Sequence, residues 1–321
     1  MRYIVIGAGA VGGTIGAKLF QGGHEVLLIA RGAHYASLRA SGLRLITPST
    51  AETLAVPVAD GPIPTGEDDV LVLATKSQDT VAALDGWSRE LPVVLAQNGV
   101  GNEPVALRRF ERVYGMCVWL PALHLEPGVV VSYGTPHPGM LHVGRYPQGV
   151  DDLAARVTGD LTGSGFVTLA VPDVMRWKYG KLLGNLGNAA EALCEPGFAD
   201  IPVQARAEAM RVLDAAGIAY STQEEERELR GHLVDLAPVA GVARGGGSSW
   251  QSLARSSGTI EADFLNGEIV LLARTLGVPA PVNEVLQREA NRAAREKLPP
   301  GSMPVAKLQA LIDERCAAVS R

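Results

Sequence analysis

Cysteine is scarce in this 321-residue chain, and its three copies, Cys117, Cys194 and Cys316, form neither a CxxC pair nor a Cys/His cluster. An odd, dispersed set excludes a disulfide framework and a zinc site of ordinary ligand spacing, and it points to a reducing cytoplasm. Basic residues are not in excess. With 29 Lys and Arg against 34 Asp and Glu, the net charge of -5 offers no positive field to a polyanion, so nucleic acid is not an expected partner. Long apolar runs are also missing. Val70-Leu71-Val72-Leu73-Ala74 falls far short of the roughly 20 residues that a membrane-spanning helix needs, and no membrane partner is expected. The first residues, Met1-Arg2-Tyr3-Ile4-Val5-Ile6, run into glycine before a secretory apolar core could form. The histidines are scattered, and no carboxylate cluster has ligand spacing, so no metal is expected.

What is present is an ordinary globular composition, 47% hydrophobic, in a length that suits two domains of roughly 150 residues. From the start to about Val171, short β-branched runs alternate with helix-compatible segments, the pattern of a parallel sheet wrapped by helices. Strands are expected at Tyr3 to Ile6, Glu25 to Ala30, Asp69 to Ala74, Pro92 to Gln97 and Arg112 to Leu120, with helices after the first, third and fourth. Val129 to Tyr133 and Met140 to Val143, joined by Gly134-Thr135-Pro136-His137-Pro138-Gly139, read as a hairpin, and Phe166 to Val171 as the last strand. Beyond Pro172 the β-rich runs stop. Helical spacing takes over, with Leu265, Ile269 and Leu272 on one face of a segment from about Thr259 to Leu276. The expected fold class is therefore α/β: a Rossmann-type doubly wound sheet domain at 1–171, then an all-helical domain at 172–321. Asp173 would cap the first helix of the second domain, and Pro304 to Arg321 would form the last. An apolar helix face there suits a homodimer or the domain's own core equally well.

Gly7-Ala8-Gly9-Ala10-Val11-Gly12 follows the first strand and opens a helix, the context that a dinucleotide fingerprint requires. Gly7 serves the tight turn, Gly9 the approach of a pyrophosphate, and Gly12 the packing of helix on sheet. The second strand ends Ile29-Ala30-Arg31-Gly32, with no carboxylate to accept from a ribose hydroxyl. Arg31 instead offers a cationic fork for a 2′-phosphate, which favours NADPH over NADH. Lys76 lies just past the third strand, and Asn98, in Gln97-Asn98-Gly99, just past the fourth. Both positions are where open α/β sheets bind ligands, although a surface lysine and a plain Asn-Gly turn would look the same.

The segment Trp177 to Asn188 carries Lys181, Asn185 and Asn188 at spacings of four and three, a polar stripe on one helix face. Asn and Gly are poor helix formers, and such a local conflict marks either a functional site or an interhelical hydrogen-bond network. Ketone reduction needs a proton at oxygen, which a lysine ammonium can supply; Lys181 fits, and the positive charge of Lys178 nearby would favour proton release. Glu261, at the start of the helix expected from Thr259, either complements the helix dipole or contacts a substrate hydroxyl or the lysine. Ser248 or Ser249 could hold a substrate carboxylate. Gly245-Gly246-Gly247-Ser248-Ser249 reads as a linker or a mobile loop.

Taken together, Gly7-x-Gly9-x-x-Gly12, Ala30-Arg31-Gly32, Lys76, Gln97-Asn98-Gly99, Lys181-x-x-x-Asn185 with Asn188, Ser249 and Ile260-Glu261-Ala262-Asp263-Phe264-Leu265-Asn266-Gly267 resemble the ketopantoate reductase (2-dehydropantoate 2-reductase) family in order and spacing. The resemblance covers nearly the whole chain. It implies a Rossmann domain joined to a helical domain like that of 6-phosphogluconate dehydrogenase, with the active site in the cleft between them. It implies Lys181 as catalytic acid, Glu261 and Asn185 as substrate partners, Asn98 near the nicotinamide of NADP, and Ser249 and Asn188 on a small 2-keto acid, with ketopantoate the leading substrate. One departure stands out: family members commonly carry a Gln-Asp pair soon after the substrate serine, and this chain reads Ser249-Trp250-Gln251-Ser252. Other readings are a related oxidoreductase of another 2-keto or 3-hydroxy acid, and a non-catalytic NADPH sensor, which would have no reason to keep Lys181, Asn185 and Glu261 together.

Overall fold

The structure, a computed structural model, describes residues 1–242 and 245–319. Its strands are β1 (Arg2–Ile6), β2 (Glu25–Ile29), β3 (Leu43–Ile46), β4 (Ala51–Leu54), β5 (Val58–Ala59), β6 (Asp69–Leu73), β7 (Val93–Leu95), β8 (Val113–Trp119), β9 (Ala122–Leu123), β10 (Val129–Ser132), β11 (Gly134–Pro136), β12 (Met140–Arg145), β13 (Val167–Ala170) and β14 (Val234–Leu236). Its helices are α1 (Ala10–Gln21), α2 (Gly32–Ser41), α3 (Thr80–Leu84), α4 (Asn102–Leu107), α5 (Asp152–Gly163), α6 (Val174–Asn185), α7 (Asn188–Leu193), α8 (Asp200–Ala215), α9 (Gln223–Arg230), α10 (Ser248–Ala254), α11 (Asn266–Leu276), α12 (Pro281–Arg295) and α13 (Val305–Val319). The chain forms two compact units, Met1–Lys178 with Thr222–Arg244, and Tyr179–Ser221 with Gly245–Arg321.

In the first unit the main sheet has the order β13-β12-β8-β7-β6-β1-β2-β5. From β5 to β8 all neighbours are parallel, and the chain order of those six strands is the 3-2-1-4-5-6 of a doubly wound dinucleotide fold. The order reverses between β1 and β6, so the carboxyl ends of these two strands flank the crevice where such sheets bind ligands. Alternation along each strand feeds two cores. Tyr3, Val5, Val70 and Val72 pack with Ile15 and Leu19 of α1 on one face, while Ile4, Ile6, Leu71 and Leu73 pack with Leu84, Ala106 and Phe110 on the other. With both faces covered, β1 and β6 can be apolar beyond their first residues, Arg2 and Asp69, which is why they are legible as strands.

The expected hairpin at Val129 to Val143 does not form. β10 instead joins a four-stranded sheet of order β4-β3-β10-β9, and β12 lies antiparallel to β8 in the main sheet. The turn-rich link is itself partly a strand, β11, paired with β14. That pairing corrects a second expectation, since residues past Pro172 are not all helical. It also explains why Thr222–Arg244 belongs to the first unit rather than to the 172–321 half. Within that segment α9 opens with a capping box between Thr222 and Glu225, and Arg176 donates two hydrogen bonds to Glu225, at 2.6 and 2.7 Å. The other end of the division falls inside α6, after Lys178, rather than at Val171.

The second unit packs α7, α8 and α10–α13 together, with Leu182, Leu186, Ala205, Leu213, Ile269, Leu286 and Leu308 buried. The expected helix from Thr259 is divided: Glu261–Phe264 forms a 3-10 turn, and α11 starts only at Asn266. The last helix, expected to Arg321, is described to Val319; Ser320 and Arg321 lie outside the described residues. Among the described residues no helix is long and apolar enough to cross a membrane.

Candidate active site

The fingerprint turn joins β1 to α1 at the crevice. Gly7 has φ +98°, and a Cβ there would lie 2.9 Å from the Thr75 nitrogen; at Gly12 a Cβ would overlap the Gly7 carbonyl and lie 2.8 Å from Ala74 Cβ. Only glycine lets this turn and α1 sit against the end of β6. The Gly7 and Ala8 N–H groups donate to Ile29 O at 3.0 and 3.3 Å, which ties the turn to the strand that leads to Arg31. Gly9 is the N-cap of α1 and has no side chain to cap it, and the N–H groups of the first turn, Ala10, Val11 and Gly12, have no intrahelical carbonyl to donate to. At Gly9 the nearest atom to a Cβ would be His124 Cδ2 at 3.9 Å, leaving the backbone open to a close ligand. These features fit the diphosphate of a dinucleotide.

His34 braces the same turn. Gly128 N–H donates to its Nδ1 at 2.9 Å, so the proton sits on Nε2, which donates to Ala8 O at 2.8 Å. Burial pushes this imidazole's pKa down, against the opposing hydrogen bond to Ala8. Arg31 is exposed and caps the start of α2, a helix the sequence reading missed.

At the ends of β6 and β7 a buried polar network joins the turns that carry Lys76 and Asn98. Gln97 Nε2 donates to Thr75 O at 3.1 Å and to Thr80 Oγ1 at 2.9 Å, and Thr80 Oγ1 donates to Asn102 Oδ1 at 2.8 Å. Asn102 Nδ2 reaches Ser77 Oγ at 3.1 Å and Asn98 O at 3.0 Å. Behind the network Lys178 forms an ion pair with Glu103, both almost fully buried, and donates to Gln97 O at 3.1 Å. The Lys178 charge, which the sequence suggested would favour proton release from Lys181, is thus compensated by Glu103.

In the second unit Lys181 and Asn185 are one turn apart on α6, both partly buried, but the stripe does not continue: α6 ends at Asn185, and Asn188 opens a separate helix. A distant residue meets the chain at the break. Asn266 Nδ2 takes the Leu186 carbonyl at 3.1 Å and donates also to Asn283 Oδ1 at 3.0 Å. Glu208 anchors that chain by accepting from Val282 N, Asn283 N and Asn283 Nδ2 at 3.0, 2.9 and 2.8 Å. The Nδ2 of Asn185 is buried without a hydrogen-bond partner.

Asn188, Glu191, Ser248 and Glu261 come together. Glu191 accepts from Gly247 N–H at 2.9 Å, a Gly247 Cβ would be 3.7 Å from Asn188 Oδ1, and Ser248 Oγ donates to Glu261 Oε2 at 3.1 Å. Ser249 is buried in the first turn of α10. The glycines before it are not a plain linker. A Cβ on Gly245 or Gly246 would overlap the Trp250 ring, so that ring lies against their backbone.

Residues 3–148 match the model of ketopantoate reductase PanE/ApbA, and residues 173–293 match that of its C-terminal part. The chain belongs to the ketopantoate reductase family. A 2-dehydropantoate 2-reductase of Pyrococcus horikoshii is 28% identical over 94% of this chain and 100% of its own. Among solved structures, a PanE/ApbA family ketopantoate reductase from Ralstonia eutropha JMP134 is 26% identical with a TM-score of 0.76, covering 92% of this chain and 99% of its own. A D-mandelate dehydrogenase bound to NADH and anilino(oxo)acetate shares the fold at 21% identity, with a TM-score of 0.77 and coverage of 93% and 99%.

For this family member, sequence reasoning named the residues on strand ends and helix faces but missed their supports, Glu103, Asn102, His34, Glu191 and Glu208. Apart from Asn102, which holds Asn98 O from four positions away, each acts on a residue far along the chain, as Glu208 does on Asn283 across 75 positions. No local spacing announces such a partner.

Proposed function

We propose that this chain is an NADPH-dependent reductase of small 2-keto acids, with 2-dehydropantoate as the substrate and pantoate as the product. The observation that carries the reading is the buried, unpartnered Nδ2 of Asn185, one turn from Lys181. A buried amide donor without an acceptor costs roughly 1–3 kcal/mol, and a substrate oxygen would relieve it. NADPH, when bound, supplies hydride to the carbonyl carbon. Lys181 donates a hydrogen bond to the carbonyl oxygen and then the proton that completes the alcohol. Glu261, oriented by Ser248, accepts from a substrate hydroxyl, while Asn185, Asn188 and Ser249 hold substrate oxygens. Gly7, Ala8, Gly9, Ala10, Val11 and Gly12 receive the diphosphate, Arg31 the 2′-phosphate, and Lys76 and Asn98 the remainder of the cofactor towards the nicotinamide.

The test is NADPH oxidation at 340 nm over a panel of 2-keto acids that includes ketopantoate. Ketopantoate should be consumed fastest, and Lys181→Ala should lower kcat about 10³-fold with the NADPH dissociation constant unchanged. Full turnover in that variant would remove the lysine from the chemistry, and tight NADPH binding with no ketone consumed would favour a sensor. A second reading, reduction of another 2-keto acid, is favoured by the departure at Ser249-Trp250-Gln251-Ser252 from the Gln-Asp pair common in the family. The panel decides between the two.

A further inference from the structure

We infer that Lys178 is a positioning residue for the nicotinamide end of the cofactor, acting through the Gln97–Asn98 backbone; this rests on the NADPH reading above. Lys178 is buried, 3% exposed, and its ammonium touches the Glu103 carboxylate and the Gln97 carbonyl. Glu103 is fully buried, and its second oxygen, Oε2, has no hydrogen-bond partner, so the pair is not part of a wider charge network on that side. A buried pair of this kind contributes little stability over apolar residues of the same volume. What an apolar pair could not do is hold a carbonyl.

Two successive carbonyls of this turn are held from different elements, Gln97 O by Lys178 of α6 and Asn98 O by Asn102 of α4. Rotation of either peptide plane would break one of these hydrogen bonds, the first buried and the second partly so, and the Asn98 side chain is carried on a backbone held at both carbonyls. Gly115 on β8 leaves the room. A Cβ there would stand 3.4 Å from Glu103 Oε1, 3.6 Å from Lys178 Cδ and 3.1 Å from Val174 Cγ1. The main sheet is thus relieved of a side chain beside the pair that braces the turn.

The experiment compares wild type with two double variants, Lys178→Met with Glu103→Leu, and Lys178→Leu with Glu103→Met. Both remove the two charges together, so neither strands a buried ion, and whichever is folded by circular dichroism and thermal melting is scored. Two probes are titrated: adenosine 2′,5′-bisphosphate, which lacks the nicotinamide, and NADPH, followed by the fluorescence of its reduced ring. The bisphosphate should bind within about twofold of wild type, while the NADPH fluorescence change falls by about half or more and kcat drops about tenfold or more. A variant with wild-type NADPH fluorescence and kcat overturns the positioning role. Equal loss of both probes overturns it too, because the pair would then support the whole unit. A wild-type protein that binds neither probe sinks the cofactor reading itself.

Discussion

Glu103 in the first unit and Glu208 in the second are both buried carboxylates that steady a carbonyl near candidate site residues, yet they are compensated in different ways. Glu103 meets a cation, Lys178, which in turn holds Gln97 O. Glu208 accepts from two backbone N–H groups and an amide at the start of α12, and neutral amides relay its effect to Leu186 O. Burial pushes the Glu208 carboxyl pKa up, and the hydrogen bonds from Asn283 and Val282 resist that rise. His142 is a third solution. Fully buried with both ring nitrogens unpartnered, and edge-on to Trp119 and Trp177 at 5.0 and 5.3 Å, it is accommodated by staying neutral. The comparison teaches that a buried ionisable group is tolerated through a counter-charge, through oriented dipoles or through loss of its own charge, and that each route fails differently.

The counter-charge should fail hardest. Glu103→Ala strands the Lys178 ammonium and is expected to cost about 3–5 kcal/mol in urea unfolding, well above the cost of either double variant. If the single change is no worse than the double, the pair is not acting as a charge pair.

His142 should fail with acid. Desolvation lowers its pKa from 6.5 to about 4 in the folded protein, so between those values the unfolded chain takes up a proton that the folded one refuses. Stability held above pH 6.5 is therefore lost as the pH falls towards 4, by roughly 3 kcal/mol. In denaturation series across that window, His142→Phe should remove this part of the slope; an unchanged slope would assign it to other groups.

The dipole solution should fail more gently. Glu208→Ala leaves donors of α12 unpaired and is expected to cost about 2 kcal/mol, with no loss of adenosine 2′,5′-bisphosphate binding. Weakened bisphosphate binding would show that the change spreads beyond the second unit. The smallest effect belongs to a solvated group. Arg31→Ala should weaken NADPH about tenfold, roughly 1.4 kcal/mol, and leave NADH nearly unchanged. Equal losses for the two nucleotides would detach Arg31 from the 2′-phosphate.

The first unit was the more legible of the two, for a physical reason. β1, β6 and β7 are buried on both faces and read as continuous apolar runs, and the glycine turn must follow its strand directly. Short strands were missed where burial is one-sided or slight, as in β4, which is largely exposed. The hairpin was misread because a turn-rich link looks the same whether its flanking strands pair with each other or with β3 and β8. In the second unit Lys181, Asn185 and Glu261 could be named from spacing and resemblance, but not the Asn266 amide that takes the Leu186 carbonyl at the helix break from 80 residues away. Gly245 and Gly246 read as a linker or a mobile loop, and no local signal announces that the Trp250 ring lies against their backbone.

By itself the sequence determined which segments bury both faces, where the backbone must be glycine and which side chains can move a proton, since those depend on residue type and near neighbours. Tertiary structure alone decided which strands pair, where α6 stops and which buried cation holds Gln97. Those outcomes depend on hydrogen bonds and ion pairs between residues tens of positions apart, and they exist only once the chain has folded.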